Sequence, residues 1–541
     1  MPSVRAYART LKNVAYVEEN LYTCSQDTQE KIKNAIREHQ LNRVIVASCS
    51  PRTHEPMFRE TLREAGLNRF LFEMANIRDQ CSWVHMRQKE GATEKAKDLV
   101  RMAVANARWI QSLDQLMVPV VPKGLVVGAG VTGMNASLNL AEQGYEVYLV
   151  EKEAELGGNL RNLYYTLEGE DVQAYLNDLI QRVTNHPSIH VMTNAEIVDF
   201  SGSRGNFSTG IKVGPSREVR KIDHGITILA TGAEEWKPSE YHYGEDPRIL
   251  TQLQLEARIA GHSEEVAKAG SVVMIQCVGS RNEARPYCSR TCCASAVKNA
   301  LKIKELRPDA QICILYRDMR TYGLLESYYA KARKEGVLFI QYDPEEKPEV
   351  KKEGSRLAVS FRDRILREKI EVEPDLLILS AATVPSENGA LATLLKVPRT
   401  AEGFFLEAHM KLRPVDFATD GIYLAGSGHG PKLISESISQ ASASVSRACT
   451  ILSKEKILVG GIVAVVEGEK CAACLTCVRV CPYEVPVINA KGEAEIEVSK
   501  CKGCGTCAAE CPARAIELMH FKEDQLEAKC QALIMEIQHS A

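Results

Sequence analysis

The sequence predicts an α/β protein of parallel sheets covered by helices, preceded by a small α/β unit and followed by a cysteine-rich α+β unit. Three observations predict it. Apolar strand runs alternate with helical stretches for more than 300 residues after Gly124, the pattern of helices packed on both faces of parallel strands. A glycine-rich turn, Gly128-Ala-Gly130-Val-Thr-Gly133, joins the first of those strands to a helix. Eight of the chain's 18 cysteines fall between Cys471 and Cys511, while none occurs between Cys81 and Cys277.

In chain order, residues 1–118 form the first unit. Asn13–Val17 and Arg43–Ala47 are expected strands on either side of a helix at Gln26–His39, and a second helix covers Glu90–Leu113. The proline-punctuated stretch Val118–Pro122 marks a boundary. Residues 119–455 form the central domain. Its first helix and second strand are expected at Val131–Gln143 and Glu146–Val150. Buried strands follow at Gly225–Ala230, Ser271–Gln276, Gln311–Tyr316, Leu376–Leu379 and Gly421–Ala425, with a helix at Ala294–Leu306. Residues 251–375 form a second subdomain of nucleotide-binding pattern. Residues 456–520 carry the cysteine repeat, and 521–541 end in a helix at Glu523–Gln538.

Composition excludes several classes of function. The formal charge is −3, which argues against nucleic acid as a partner, since phosphate binding needs concentrated Lys and Arg. The longest apolar stretch, Ile457–Val466, is too short to cross a bilayer. The start, MPSVRAYART, lacks the apolar core of a signal peptide. A cytoplasmic chain is expected, where 18 cysteines mean metal, redox or core roles rather than a disulfide framework.

Cys471-x2-Cys474-x2-Cys477-x3-Cys481-Pro482 is followed by Cys501-x2-Cys504-x2-Cys507-x3-Cys511-Pro512. Three thiolates from one tight loop can meet three irons of a cubane, and the fourth cysteine of each run serves the other cluster. One 4Fe–4S cluster is therefore assigned to Cys471, Cys474, Cys477 and Cys511, the second to Cys501, Cys504, Cys507 and Cys481. A zinc site does not require a third cysteine at this pitch.

The turn at Gly128, Gly130 and Gly133 admits a diphosphate against the following helix, and Glu151, 18 positions further, is placed to accept ribose hydroxyls. The pair Gly157-Gly158 resembles the one that follows this acid in flavoproteins. Ala230-Thr231-Gly232 resembles their strand-ending turn, and Thr419-Asp420-Gly421-Ile-Tyr-Leu-Ala425-Gly426 their late flavin-contacting motif. Four motifs in order favour FAD over NAD. An Asp usually follows that last glycine; Ser427 stands here, so Ser427 or Lys432 is expected to take over anchoring of the ribityl chain.

In two-nucleotide flavoproteins a second strand ends in a second glycine motif. Here Ser271–Gln276 ends in Cys277-Val-Gly279-Ser-Arg281, with one glycine of three, and Tyr287-Cys288-Ser-Arg-Thr-Cys292-Cys293 follows. Cys277, Cys288, Cys292 and Cys293 are candidate ligands of a third cluster, with a helix start lowering thiolate pKa. A redox dithiol and inert buried cysteines are the rival readings.

Asn20-Leu-Tyr-Thr-Cys24, Ala47-Ser-Cys49-Ser-Pro-Arg-Thr-His54-Glu, Arg78-Asp-Gln-Cys81-Ser-Trp83-Val-His85, Cys277-Val-Gly-Ser-Arg281 and Tyr287–Cys293 together resemble the heterodisulfide reductase A-subunit family, over essentially the whole chain. The resemblance implies a thioredoxin-reductase-like FAD domain and several iron–sulfur clusters. It implies the B and C subunits of heterodisulfide reductase as partners, with a hydrogenase or dehydrogenase input module and ferredoxin. Cys24, Cys49 and Cys81 then resemble ligands of an N-terminal cluster, a fourth in all. Family chains usually begin earlier, with a short strand and a Cys-x-Cys-Gly segment, and Met1 here falls near the middle of that stretch. Many have a ferredoxin insert, yet no Cys-x2-Cys run lies between Gly128 and Cys277. His54, His85, Cys313, Cys449 and Cys530 are expected to be structural.

The expected function is a FAD and iron–sulfur electron-transfer subunit, with the flavin as the point of electron bifurcation or confurcation. The alternatives are a self-sufficient NAD(P)H–ferredoxin oxidoreductase, which the lost glycines disfavour, and a cluster-binding scaffold without catalysis, which the flavin motifs disfavour.

Overall fold

The computed structural model describes residues 1–214 and 218–539. They form two compact units, Pro119–Ile457 and the two chain ends, Met1–Val118 with Leu458 onward.

In the terminal unit, β1 (Val44–Ser48) pairs in parallel with β2 (Phe72–Asn76). Helices at Gln26–Glu38 and Pro51–Glu64 and the long α1 (Lys89–Ala107) accompany them. The expected strand at Asn13–Val17 does not form. Asn13 takes a left-handed conformation at φ 71, which an extended strand cannot accommodate, and the stretch is irregular between two helices. Its place as a sheet partner is taken by β2.

The central unit holds two five-stranded parallel sheets. The first contains β3 (Lys123–Val127), β4 (Glu146–Val150), β5 (Ile189–Met192), β6 (Ile226–Leu229) and, from late in the chain, Ile422–Leu424. The last of these lies at one edge, beside β6, giving the order 422–424, β6, β3, β4, β5. α2 (Val131–Ala141) follows β3 and is buried along most of its length, which suits its run of Ala, Gly and Leu.

A short antiparallel pair, β7 (Ala233–Glu235) with Thr383–Pro385, bridges to the second sheet. That sheet contains β8 (Ile249–Thr251), β9 (Ser271–Val278), β10 (Gln311–Tyr316), β11 (Leu338–Gln341) and β12 (Leu376–Ala381) in the order β8, β12, β9, β10, β11. Every residue of β12 is buried, as a strand covered on both faces must be, and its sequence is accordingly a nearly continuous apolar run. α3 (Cys292–Leu306) packs against β9 and β12. It starts two residues earlier than the sequence pattern suggests, which puts Cys292 and Cys293 in its first turn. In the first sheet, β13 (Ile422–Leu424) leads to α4 (Ile434–Leu452), which lies against α2.

The cysteine repeat returns to the terminal unit as two antiparallel strand pairs and two single-turn helices. α5 (Glu523–His539) then packs along α1. Arg101 Nε donates to Ala532 O at 2.6 Å and Lys529 Nζ to Glu73 Oε1 at 2.7 Å. Among the described residues no helix is long and apolar enough to cross a membrane.

Candidate flavin and iron–sulfur sites

A cavity of about 1460 Å³ opens along the carboxyl edge of the first sheet. Gly128 ends β3 at φ 99, and a Cβ there would lie 2.4 Å from Ala230 O. At Gly133 a Cβ would lie 1.8 Å from Gly128 O, so only glycine lets α2 start against its own turn. At Gly130, by contrast, a Cβ meets no protein atom within 4 Å. That open side faces the cavity, where the N-terminus of α2 favours a diphosphate.

Glu151, 8% exposed, lines the cavity at the end of β4. Its carboxylate accepts from Ala129 N at 2.6 Å and Glu153 N at 3.0 Å, which fixes it while leaving lone pairs for a ribose. Gly157 takes φ 117 and Gly158 φ 49, the latter 3.2 Å from Gly130 Cα by its would-be Cβ. Thr231, Gly232 and Ser427 complete the lining. Thr231 Oγ1 is buried without a hydrogen-bond partner, an orphan that a ligand hydroxyl or phosphate would satisfy. Gly426 takes φ 75, and a Cβ on it would lie 2.3 Å from Thr132 Oγ1. These features fit a dinucleotide.

The same cavity is lined from the second sheet by Ser380 and Ala381 of β12 and by Thr291, Cys292, Ser295 and Lys298 around the start of α3. Cys277 takes φ 63 where β9 slips register between Ile275 and Val278. Strained non-glycine backbone of this kind re-aims a side chain. Burial and the nearby Cys293 and Cys288 thiols push the Cys277 thiol up, with Arg281 opposing. Cys292 donates a hydrogen bond to Cys293, raising its own pKa and lowering that of Cys293. The four cysteines thus lie together, two of them at a helix N-terminus that favours thiolate.

Where a second glycine motif would admit another nucleotide, the space is filled. Gly279 packs beneath Trp236, whose Cδ1 would lie 2.5 Å from an added Cβ, and the Arg285 guanidinium stacks 3.6 Å from the Trp236 ring centroid.

In the cysteine repeat, Cys471, Cys474, Cys477 and Cys511 ring one small cavity with Ile488, Ala494 and Ile516. The fourth cysteine of the second run therefore joins the first three of the first. Burial together with the Cys501, Cys481 and Cys504 thiols pushes Cys507 up to about 11, so the complementary four are also neighbours. The duplication extends to the backbone: φ is positive at Ala473 and Gly503, at Leu475 and Gly505, and at Glu484 and Arg514. Ala494 N and Ala515 N each donate to a cysteine sulfur, Cys471 and Cys511, at 3.3 Å. Backbone N–H groups aimed at sulfur suit cluster ligands. Among the described residues no three His, Cys, Asp or Glu side chains close on a single ion position.

The N-terminal cysteines are placed differently. Cys81 is buried and donates to Ala92 O at 2.8 Å, Cys49 sits 3.8 Å from Ser48 Oγ, and Cys24 is exposed. Sequence reasoning also missed Lys298, which lines the central cavity, and the carboxylate that holds it. Lys298 and Glu256 form a buried ion pair at 2.6 Å, with Lys298 Nζ also donating to Tyr165 O at 2.8 Å. The only signal was a lysine, Lys298, directly after the small and apolar run Ala294–Val297.

Residues 122–265 match the pyridine nucleotide-disulphide oxidoreductase family, and residues 464–531 match the 4Fe-4S dicluster domain. The second of two A-type iron–sulfur subunits of CoB–CoM heterodisulfide reductase in Methanopyrus kandleri is 38% identical, covering 89% of this chain and 87% of its own. The A-type subunit of the H2:CoB–CoM heterodisulfide,ferredoxin reductase of Methanothermobacter marburgensis is 36% identical over 99% of this chain and 94% of its own. Lactococcus lactis thioredoxin reductase is 15% identical with a TM-score of 0.43, covering 61% of this chain and 99% of its own. Fold, site and family matches define an oxidoreductase electron-transfer subunit carrying a flavin and 4Fe–4S clusters. The chain belongs to the heterodisulfide reductase A-subunit family.

Proposed function

We propose that this chain holds FAD in the central cavity, a third 4Fe–4S cluster at Cys277, Cys288, Cys292 and Cys293, and two clusters in the C-terminal repeat. In this reading it is the member of a heterodisulfide reductase-like complex in which electron pairs are split or combined, working with the B and C subunits, ferredoxin, and a hydrogenase or dehydrogenase input. The observation that carries the reading is the shared cavity: Glu151, the glycine turn at Gly128 and Gly130, and Cys292 all line it.

FAD exchanges electrons in pairs and cubanes singly, so the two together can divide a pair. The chain's own groups do the rest. The N-terminus of α2 and the open Gly130 take the diphosphate, Glu151 the ribose, and Ser427 lines the wall near the ribityl path. Cys292, in the first turn of α3, lines the cavity, with Cys293 next to it in the same turn. The repeat gives the single electrons an exit toward a partner.

The alternative of an NAD(P)H-dependent enzyme is disfavoured by the Trp236–Arg285 stack over Gly279, since a diphosphate needs close approach to that backbone. Cofactor analysis of anaerobically purified protein tests the proposal. About one FAD and about twelve irons per chain are expected; absence of flavin, or about four irons, refutes it.

A further inference from the structure

We propose that Lys432 is the cation met by the flavin's ring end, held in place by His429, and that it sets how tightly the reduced flavin is bound. The proposal rests on the reading that the cavity holds FAD. The order of strands gives the placement. Along the carboxyl edge, Glu151 follows β4, Gly128 follows β3, Thr231 and Gly232 follow β6, and Gly426 and Ser427 follow β13. A dinucleotide whose ribose meets Glu151 therefore points its other end toward β13. There Lys432, Leu433 and Ser435 line the cavity at the start of α4.

The lysine is held but not neutralised. Its Nζ lies 3.3 Å from His429 Nδ1 and donates to Gly430 O at 3.3 Å. Gln440 Nε2 donates to the same His429 Nδ1 at 3.0 Å, while its Oε1 accepts from Gly426 N at 2.8 Å. With two donors on Nδ1, the imidazole is neutral and carries its hydrogen on Nε2, 3.6 Å from Glu407 Oε1. The other charged groups facing Lys432 are Glu436 and Arg290. Glu436 is engaged by Arg290 at 2.7 Å and by Tyr322 at 2.9 Å. Among the described residues no carboxylate oxygen comes within 4.0 Å of Lys432 Nζ.

A half-buried ammonium whose nearest carboxylates, Glu436 and Glu407, act on it only from beyond ion-pair distance favours an anion in the cavity. Reduction supplies one. Reduced by dithionite, or by an electron-input module of the kind proposed above, a bound flavin would take up two electrons and one proton from water and become an anion, and the ammonium of Lys432 would stabilise that charge. No bond to the lysine forms or breaks. Burial, with Arg290 adding to it, lowers Lys432 to about 8, so the positive charge is present at neutral pH and fades above that value.

The test compares the full chain with Lys432→Met and Lys432→Arg. Apoprotein is titrated with FAD, and the flavin midpoint potential is measured by dithionite titration at several pH values. Lys432→Met should weaken binding of reduced relative to oxidised flavin about tenfold at neutral pH, a fall of about 30 mV in the two-electron potential. This gap should close above pH 8, as the parent loses its ammonium. Lys432→Arg keeps its charge at every pH, so it should lack that pH dependence. Equal potentials for parent and Lys432→Met at neutral pH, or a parent-like pH profile in Lys432→Arg, would overturn the proposal. If Lys432→Met retains no flavin, the pH profiles of parent and Lys432→Arg decide. Failure of the parent to bind FAD would refute the cavity reading instead.

Discussion

Alanine at two glycines of one turn should separate fold from cofactor. At Gly133 an added Cβ would fall 1.8 Å from Gly128 O, a backbone atom that no side-chain rotation can move aside. Overpacking of this kind costs about 1–3 kcal/mol, so Gly133→Ala apoprotein should unfold at lower denaturant than the parent. At Gly130 the Cβ meets no protein atom within 4 Å and φ is −74, so Gly130→Ala apoprotein should match the parent closely. Its methyl group points where the diphosphate would lie. The same overpacking cost, now borne by the complex, corresponds to about a 10- to 100-fold loss of affinity. At FAD one hundred times the parent Kd, the parent gains about 2.7 kcal/mol of stability, whereas a variant binding one hundred times more weakly gains about 0.4 kcal/mol. Denaturant unfolding with and without FAD reads both quantities. Parent-like stabilisation of Gly130→Ala by FAD would refute the placement of the diphosphate, and parent-like stability of Gly133→Ala apoprotein would refute the packing argument.

Four further outcomes are expected. Cys504→Ala should lose about four irons and one cluster's EPR signal while FAD stays bound; unchanged iron would remove Cys504 from the ligand set. Cys292→Ala with Cys293→Ala in the full chain should also lose about four irons with FAD retained, and equal iron in parent and variant would make these cysteines structural. NADH and NADPH should not bleach the flavin at catalytic rates without partner proteins, because Trp236 and Arg285 cover Gly279; rapid bleaching in stopped flow would overturn this. Lys298→Met strands the Glu256 carboxylate, 1% exposed, and should cost about 3–5 kcal/mol. Adding Glu256→Gln should recover much of that loss, and additive losses would show that the ion pair is not the cause.

The central domain was legible because its signals are local. Glu146–Val150 is a short β-branched and apolar run between a helix and an acid, and the strand forms at those residues. The neighbourhood of Cys471, Cys474, Cys477 and Cys511 around one small cavity follows the duplicated spacing, since a repeat of this kind brings its fourth cysteine to the other run. The strand expected at Asn13–Val17 failed because apolar composition there says nothing about φ, and Asn13 adopts the left-handed region. β2 was overlooked because Phe72–Asn76 becomes a strand through pairing with β1, a contact between segments far apart in sequence. The side chains that support the cavity's lining were illegible for a different reason. Glu256, Lys298, His429 and Gln440 act through partners on other elements, and only packing reveals them.

The two parallel sheets also explain why cysteines stand where a second nucleotide turn is expected. Both sheets point carboxyl ends at the same cavity: β3, β4 and β6 from the first, β8 and β12 from the second. In such sheets the carboxyl edge is where ligands bind, because strand ends and helix N-termini converge there. In the first sheet small residues keep that edge open. In the second, β9 bends at Cys277, Gly279 is covered by Trp236, and the helix that would have met a phosphate begins with Cys292 and Cys293. A helix N-terminus favours negative charge whether it belongs to phosphate or to thiolate. Cysteines in place of a nucleotide turn therefore keep the electrostatic logic of the site, and a cluster held there, as proposed above, would put a carrier of single electrons where a carrier of electron pairs is expected.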